Sequence, residues 1–389
     1  MASTVVAEDR SATGRRRVFH ILDALRGIAA LAVVQRHTAG LLGQDAWPST
    51  YLAVDLFFVL SGFVIAYSYE TRLATSMGWR RFMSLRVIRI YPLYAVGLAL
   101  GGIALLGNQL QRPSGPDWSV TGQALASAVL MLPNWHLPAV VGPRWSLTYE
   151  LIANAAYAAV APRLTTPVLT VFTVAMGSLL IATTAWTGSV DSGWDFDQAH
   201  VALARVFFSF PMGVLLFRAY DQASSRKWLA GALIVLALLA VASAIVMPQP
   251  LRAELPIILL AFPIVTGLAA LIDVPRPWTA LCGILGTTSY ALYVIHQPAS
   301  VLFEAFAKRV SRFRPDRAVQ RLSACCAVAA GLLASGPLLR RAGPSRSGCP
   351  IQQVALMHER LCCIAAGIGV RGQTICPSRA CAGRTGGWR

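Results

Sequence analysis

Residues 168–186 read VLTVFTVAMGSLLIATTAW, a run without one ionisable side chain. An α-helix needs about 20 apolar residues to cross the roughly 30 Å of hydrocarbon in a bilayer, and this run comes close to that length. Two further runs of the same kind are Trp228–Met247 and Ile257–Leu271. All three are continuous rather than alternating, so they predict membrane helices and not the strands of a barrel.

The overall composition agrees with these runs. The chain has 389 residues, of which 56% are hydrophobic and 13% are charged, and its mean hydropathy is +0.57. A soluble domain carries about 25% charged residues, so this chain lacks the polar groups to cover itself in water. A soluble all-α protein with buried helices would need far more charge between the runs. The sequence therefore predicts an all-α, polytopic integral membrane bundle.

Ten segments are predicted to cross the bilayer. A shorter apolar stretch, 124–132, is predicted to be re-entrant or interfacial because it is too short to cross. Ten spans place the basic loop 72–89 in the cytoplasm and the acidic loop around Asp191 outside, as the positive-inside rule demands, although the basic loop 308–321 contradicts that rule. The ten spans are Ile21–Leu42, Tyr51–Tyr69, Ile90–Leu106, Ser146–Ala161, Val168–Trp186, Val201–Phe217, Trp228–Met247, Leu255–Asp273, Leu281–Phe303 and Leu322–Leu339.

The net charge of +17 does not indicate a nucleic-acid partner, because the basic residues lie at the ends of apolar runs and in the C-terminal segment. The three arginines at 15–17 precede the first span as in a signal peptide. That span, however, contains Asp23, Arg26 and Arg36, which a signal peptide would exclude. We therefore expect a retained first helix, with the N-terminus in the cytoplasm and the chain in the cell's inner (plasma) membrane.

The C-terminal segment differs in composition from the rest. Seven of the eight cysteines lie beyond residue 324, and the last fifty residues show no helical periodicity. This pattern predicts a disordered tail, which a shifted reading frame would also produce; a Cys-rich metal or redox segment is the alternative. The predicted organisation is a cytoplasmic segment at 1–17, a transmembrane domain at 18–341 and the tail at 342–389.

Charged side chains inside a span are costly, so those of the first helix are functional candidates. Arg26 and His37 lie eleven residues apart, which leaves them about 20° from alignment and roughly 16 Å apart along the helix axis. Asp23 lies one turn before Arg26 and is expected to pair with it. A cation near the cytoplasm suits an anionic donor, and a deeper histidine suits a general base on a hydroxyl. The structural alternative for His37 is a hydrogen bond between helices.

Three later stretches repeat this mixture of polar and apolar residues. Ser61 and Gly62 lie in the middle of the second span and predict a close approach between helices. Arg86 and Arg89 mark a cytoplasmic helix entrance, as an interfacial anchor or as a phosphate site. Glu150 belongs to a polar stripe in the fourth span that is either functional or paired with an arginine. This stripe follows Trp145 and consists of Ser146, Glu150 and Asn154.

The ninth span contains a hydroxyl, a phenol and an imidazole on one face. Ser289, Tyr293 and His296 fall within about 60° of one another, which predicts either a structural hydrogen-bond network or part of a site. No zinc-binding spacing, phosphate-binding loop, dinucleotide motif or serine-hydrolase motif occurs in the sequence. We therefore expect no metal and no bound cofactor.

At these residues the chain resembles the acyltransferase-3 family of bacterial membrane acyltransferases, which includes carbohydrate O-acetyltransferases. Five blocks occur in the family's order over residues 18–300, and the first contains the family's Arg-x10-His spacing. The chain departs from the family near its end, where Ser335, Gly336 and Pro337 replace the usual acidic residue before proline. The five blocks are Leu22–His37, Phe57–Phe63, Arg86–Pro92, Trp145–Glu150 and Ser289–His296.

The resemblance implies a bundle of about ten transmembrane helices. It also implies transfer of an acetyl or other short acyl group from cytoplasmic acyl-CoA, a co-substrate, to a hydroxyl of an extracytoplasmic carbohydrate-type acceptor. His37 would be the catalytic residue with Arg26 as its essential partner, and Glu150 would lie in the active-site cavity. The expected substrate-binding residues are Asp23, Ser61, Arg86, Arg89, Trp145, Ser146, Tyr293 and His296.

Three alternatives remain open at this stage. Intramembrane charges also suit a transporter or flippase for a glycan or lipid, although the sequence shows no internal repeat and no paired broken helices. A related group of membrane acetyltransferases modifies amines instead of hydroxyls and has a similar first block. The altered tail would also fit a non-functional reading frame. The lipid bilayer, acyl-CoA and a glycan acceptor are the expected partners.

Overall fold

The computed structural model describes residues 17–133, 135–220 and 251–311, all within one compact unit that covers Met1–Pro337. These residues are mainly helical, and none of them lies in a β-strand. A π-helical turn at Ile257–Ala261 joins the eighth helix to the ninth. The helices are α1 His20–Thr38, α2 Ala53–Thr75, α3 Trp79–Leu110, α4 Trp118–Val129, α5 Arg144–Val160, α6 Thr166–Thr187, α7 Ala199–Tyr220, α8 Leu251–Pro256, α9 Phe262–Leu271 and α10 Arg276–Ser311.

The prediction of a helical membrane bundle is confirmed. Six helical segments are long and apolar enough to cross a membrane, and eight of the ten predicted spans coincide with helices. Helix α1 is too highly charged to meet the same standard, and α5 is too short, with 17 residues. The remaining predicted spans, Trp228–Met247 and Leu322–Leu339, lie outside the described residues, as do the predicted tail and nearly all of the N-terminal segment. The count of ten spans therefore stays a prediction.

The short stretch 124–132 contains the second half of α4. The 12 residues of α4 give a helix of about 18 Å, which is too short to cross the hydrocarbon. The phenol groups of Tyr91 and Tyr94 on α3 donate hydrogen bonds to the carbonyl oxygens of Val129 and Ala128, at 3.0 and 2.7 Å. These bonds hold α4 against α3, within the protein.

Contacts between distant residues identify two ends of the bundle. At the arginine end, Arg17 pairs with Asp273 at 2.9 Å and Arg218 pairs with Glu70 at 2.7 Å. At the opposite end, here named the His37 end, Arg36 pairs with Asp191 at 2.6 Å. Successive spanning helices run in opposite directions between these ends, which agrees with the predicted alternation of basic and acidic loops.

Helices α2 and α7 pack with almost no space between their backbones. A Cβ atom at Gly62 would collide with the carbonyl oxygen of Phe210, and one at Gly213 would collide with the carbonyl oxygen of Val59. Small residues allow this approach, and backbone contact replaces side-chain contact between helices in a membrane. The close approach predicted at Ser61 and Gly62 is thus confirmed. Helices α2 and α7 lie beside a second pair, α1 and α10, whose members pack mainly on each other.

Candidate active site

The first helix carries its polar side chains at two depths. Near its start, Asp23 Oδ1 and Arg26 Nη1 lie 3.5 Å apart, so the predicted pair forms. His37 lies in the last turn of the same helix and is exposed. The rise between Arg26 and His37 is roughly 16 Å, so these two side chains serve different parts of the site.

His37 contacts a second histidine. Its Nδ1 lies 2.9 Å from the Val33 carbonyl oxygen and 3.2 Å from Nε2 of His296, on α10. Nδ1 of His296 lies in turn 2.9 Å from the Leu292 carbonyl oxygen. A ring nitrogen bonded to a carbonyl must carry hydrogen, so both neutral rings have the Nδ1–H tautomer. Nε2 of His37 is then left with a free lone pair, as a general base requires.

A tyrosine and a serine lie below the two histidines. The hydroxyl groups of Tyr293 and Ser146 are 2.5 Å apart, and Ser146 Oγ is also 2.8 Å from the Pro143 carbonyl oxygen. Since a serine has one hydrogen, which the carbonyl accepts, Tyr293 donates to Ser146. The Tyr293 ring lies 5.1 Å from the ring of Phe57 and is almost fully buried. Tyr293, one member of the stripe predicted on the ninth span, therefore connects α10 to α5.

Glu150 lies one turn further along α5. Its Oε1 accepts a hydrogen bond from Ser61 Oγ at 2.6 Å and lies 3.5 Å from Arg86 Nη2. Two buried atoms beside it have no partner among the described residues, Arg86 Nε and Asn154 Oδ1. Buried polar groups are usually paired, so this cluster retains unused capacity to bind a ligand.

These groups form a continuous line, here named the polar seam: Arg86, Glu150, Ser61, Ser146, Tyr293, His296 and His37. Glu150 and Ser146 are separated by about 6 Å of helix rise, and Tyr293 and His296 by about 4.5 Å. The seam therefore extends for roughly 10 Å from the carboxylate to the histidine pair. Its two ends differ in chemistry: a carboxylate and a guanidinium lie toward the arginine end, and two imidazoles lie toward the His37 end.

Four of the predicted site residues lie apart from the seam: the pair Asp23 and Arg26 described above, and Arg89 and Trp145. Arg89 is exposed at the arginine end, near enough to Asp23 and Arg26 to interact with them electrostatically. Trp145 instead lies under the guanidinium of Arg205, whose central carbon is 5.4 Å from the Trp145 ring centroid. The third member of the predicted ninth-span stripe, Ser289, bonds to the Gly286 carbonyl oxygen of its own helix at 2.7 Å.

Sequence reasoning missed a buried ion pair and a tyrosine. Arg205 of α7 binds both carboxylate oxygens of Asp55, and both side chains are at most 1% exposed. Tyr290 donates a hydrogen bond of 2.6 Å to the Ile90 carbonyl oxygen, one turn below Tyr293. The signal for the pair was present, since Asp55 and Arg205 are charged residues inside predicted spans. Tyr290 resembles any interfacial aromatic residue in the sequence and gave no such signal.

No group of three or more metal-binding side chains is close enough to hold an ion in the described ranges 17–133, 135–220 and 251–311. The cysteines of the C-terminal segment lie outside those ranges. The side chains of the seam are hydroxyl, imidazole, carboxylate and guanidinium groups, which suit proton transfer and the binding of polar or anionic groups.

Comparison with known proteins gives a consistent result. A profile of the acyltransferase-3 family, described as an acyltransferase domain, matches residues 19–340. The acyltransferase MdmB of Streptomyces mycarofaciens is 34% identical over 124 residues, which are 29% of this chain and 30% of that protein. The protein named "Protein 2 in picA locus" of Rhizobium radiobacter is 48% identical over 85 residues, 21% of this chain and 43% of that protein.

The chain thus spans less than half the length of either relative. No solved structure matches it significantly. The family profile nevertheless covers most of the chain and includes every residue of the polar seam. This chain belongs to the acyltransferase-3 family.

Proposed function

We propose that this protein is a membrane acyltransferase. It moves an acetyl or other short acyl group from cytoplasmic acyl-CoA to a hydroxyl of a carbohydrate-type acceptor outside the cytoplasm. Family membership supports the transfer of an acyl group, and the expected donor and acceptor follow from the family resemblance. The positive-inside pattern supports a plasma-membrane protein with a cytoplasmic N-terminus. The free lone pair on Nε2 of His37 is the observation that carries the proposal.

His37 acts as the general base. Its Nε2 takes the proton of the acceptor hydroxyl while the oxygen attacks the thioester carbonyl, and a tetrahedral intermediate forms. Collapse of this intermediate breaks the carbon–sulfur bond, and the leaving thiolate receives the proton from the imidazolium. His296 accepts from Nδ1–H of His37, which keeps Nε2 unprotonated before each reaction. A general base of this kind contributes about 10²- to 10⁴-fold to the rate.

Arg26 serves the donor and not the oxyanion. The rise of roughly 16 Å to His37 is too great for its guanidinium to contact the reacting carbonyl. Arg26 and Arg89 instead lie at the arginine end, where the anionic part of acyl-CoA arrives from the cytoplasm. Arginine suits this task because its guanidinium binds phosphate oxygens in a bidentate manner.

The acyl-bearing arm of the donor lies along the polar seam. Its amide and hydroxyl groups need hydrogen-bond partners inside the bundle, and the unpaired atoms of Arg86 and Asn154 are available to it. Glu150 and Ser61 hold Arg86 in place, and Tyr293 and Ser146 keep α5 and α10 together beside the arm. Asp23 holds Arg26 in its orientation.

The test measures acetyl-CoA consumption by the full chain in membranes, with glycans of the producing cell as acceptors. We expect His37→Ala to lower turnover by at least 100-fold and to leave membrane insertion intact. The matched control is His200→Ala, because His200 is also exposed and also contacts a carbonyl oxygen through Nδ1, but lies outside the seam. Turnover of the control should match that of the wild type.

Two results would contradict the proposal, and a third would change its mechanism. Wild-type turnover by His37→Ala would exclude His37 as the base. Glycan movement across vesicles without loss of acetyl-CoA, unaffected by the same substitution, would favour a transporter. A labelled acyl group trapped on His37 would replace the general-base step with a covalent one.

A further inference from the structure

A broad groove opens at the arginine end, on the surface of α2, α3 and α5. Its volume is about 630 Å³, within the usual range for small-molecule sites. Its lining includes the buried residues Leu73, Met77 and Ala158 and the exposed residues Trp79 and Pro162. The groove is therefore largely apolar, and it has an aromatic side chain at its edge.

Trp79 is held in place at this edge. Its indole nitrogen donates a hydrogen bond of 2.8 Å to the Ala155 carbonyl oxygen of α5, while 46% of the residue remains exposed. A ring that is fixed by its polar edge and open on its surface is suited to stacking with a planar ligand. Stacking of a base on an aromatic side chain contributes substantially to nucleotide binding.

Three basic residues are next to the rim of the groove in the sequence. Arg80 and Arg81 follow Trp79 directly, and Arg163 follows Pro162; all three side chains are exposed. None of the three takes part in an ion pair within the described parts of the chain. Glu70, an acidic residue near this rim, is already bound by Arg218. An apolar groove with exposed, unpaired arginines next to its lining in the sequence favours an anionic aromatic ligand.

The groove and the polar seam lie on the same two helices. Seven residues of α3 separate Trp79 from Arg86, a rise of about 10 Å, and eight residues of α5 separate Ala158 from Glu150, about 12 Å. The polar seam continues for roughly 10 Å from there to the histidine pair. The distance from Trp79 to the histidine pair is therefore roughly 20 Å. An extended pantetheine arm, about as long as four to five residues of chain, spans roughly 15 Å, and the diphosphate extends it further.

We propose that this groove binds the adenine nucleotide of acyl-CoA, with the purine stacked on Trp79, its 3′-phosphate near Arg80, Arg81 and Arg163, and its diphosphate directed toward Arg26 and Arg89. The inference rests on the proposed function, since it assigns the far end of the same donor. It identifies a docking site that is separate from the reacting groups and that recognises the nucleotide and not the acyl chain.

Binding and turnover are measured separately to test this. Adenosine 3′,5′-bisphosphate is titrated against the full chain in lipid nanodiscs, and turnover is measured with acetyl-CoA and with acetyl-pantetheine, which lacks the nucleotide. Trp79→Ala should weaken nucleotide binding about tenfold and raise KM for acetyl-CoA similarly, with kcat unchanged. KM for acetyl-pantetheine should stay at the wild-type value, which also shows that the variant is folded.

The control is Trp47→Ala, because Trp47 is 48% exposed but lies at the His37 end. It should leave both measurements unchanged, and Trp79→Phe should retain most of the binding. Equal effects on both donors, or no effect of Trp79→Ala on nucleotide binding, would overturn the groove assignment while leaving acyl transfer intact. Nucleotide binding that depends on Trp79, without any turnover of either donor, would support the groove and contradict the transferase.

Discussion

Two of the ion pairs in the described part of the bundle, Asp55–Arg205 and Glu150–Arg86, differ in how many of their hydrogen-bonding groups are paired. Arg205 binds both oxygens of Asp55, donates to the Ser192 carbonyl oxygen at 3.0 Å and lies over the Trp145 ring. Arg86, in contrast, reaches Glu150 through one contact of 3.5 Å, and its Nε has no partner among the described residues. The first pair is complete, and the second has capacity left for a ligand.

This comparison refines the use of intramembrane charge as a sign of function. Charged residues in a span are functional candidates because they are costly to bury, yet a fully paired one can serve structure alone. The Asp55–Arg205 pair joins α2 to α7, the same two helices that Gly62 brings into close contact. We therefore assign the first pair to the scaffold and the second to the site, and the following predictions test this division.

The largest effect is expected from breaking the scaffold pair. Arg205→Met leaves the Asp55 carboxylate buried without a partner, which should lower the free energy of unfolding by about 3–5 kcal/mol. The measurement is the melting temperature and the monodisperse fraction of detergent-solubilised protein. The double variant Asp55→Leu/Arg205→Met should recover most of the loss, because no isolated charge remains. A loss below about 1 kcal/mol in the single variant would refute the scaffold assignment.

The opposite result is expected for the second pair. Glu150→Gln keeps an oxygen that accepts from Ser61 but removes the charge beside Arg86, so stability should change by only about 1 kcal/mol. Turnover should fall about 100-fold, or about 2.7 kcal/mol, because Arg86 loses the partner that orients it toward the donor. Both are measured on the same purified samples. Normal turnover per folded molecule would show that Glu150 has a structural role and does not belong to the site.

A smaller effect is expected at the contact between α2 and α7. In Gly62→Ala the new methyl group meets the carbonyl oxygen of Phe210, a backbone atom that cannot turn away, so α7 must shift. We expect a loss of about 2 kcal/mol in thermal unfolding. Gly107→Ala in α3 is the matched control, because no atom lies within 4 Å of its new Cβ. Helix propensity alone would stabilise both variants, so equal changes in the two would show that close packing does not determine the result.

The sequence predicted those features that depend on one helix at a time. Hydropathy located the helices, and the spacing within α1 placed Asp23 beside Arg26 with His37 at a different depth, as the structure shows. The neighbouring Ser61 and Gly62 likewise indicated a close approach. All of these follow from residues within a few turns of one another, where the geometry of the α-helix fixes the relative positions.

The sequence could not show which helix faces meet. His37 and His296 are 259 positions apart, and Asp55 and Arg205 are 150 apart. Periodicity gives each residue a face of its own helix but does not orient that face toward a particular neighbour. Trp145 illustrates the limit, since it lies beside Ser146 in the sequence but packs on Arg205 in the fold.

The smallest effect is expected from removing the phenol hydroxyl group of Tyr293 in the polar seam. Tyr293 donates to Ser146, and Ser146 donates to the Pro143 carbonyl oxygen. Tyr293→Phe removes the phenol oxygen, and Ser146 keeps its hydrogen bond to the Pro143 carbonyl oxygen. The free energy of unfolding should therefore fall by only about 1 kcal/mol. Ser146→Ala should cost about 1 kcal/mol more, because it leaves a buried phenol without an acceptor.

The double variant Tyr293→Phe/Ser146→Ala tests the direction of this hydrogen bond. It has no unsatisfied phenol, so it should unfold at a higher temperature than Ser146→Ala alone, and the two losses should not add. If the losses are additive, the two hydroxyl groups are not coupled. If Tyr293→Phe loses more stability than Ser146→Ala, the donor and acceptor are reversed. Ser146 of α5 then donates the hydrogen bond to Tyr293 of α10.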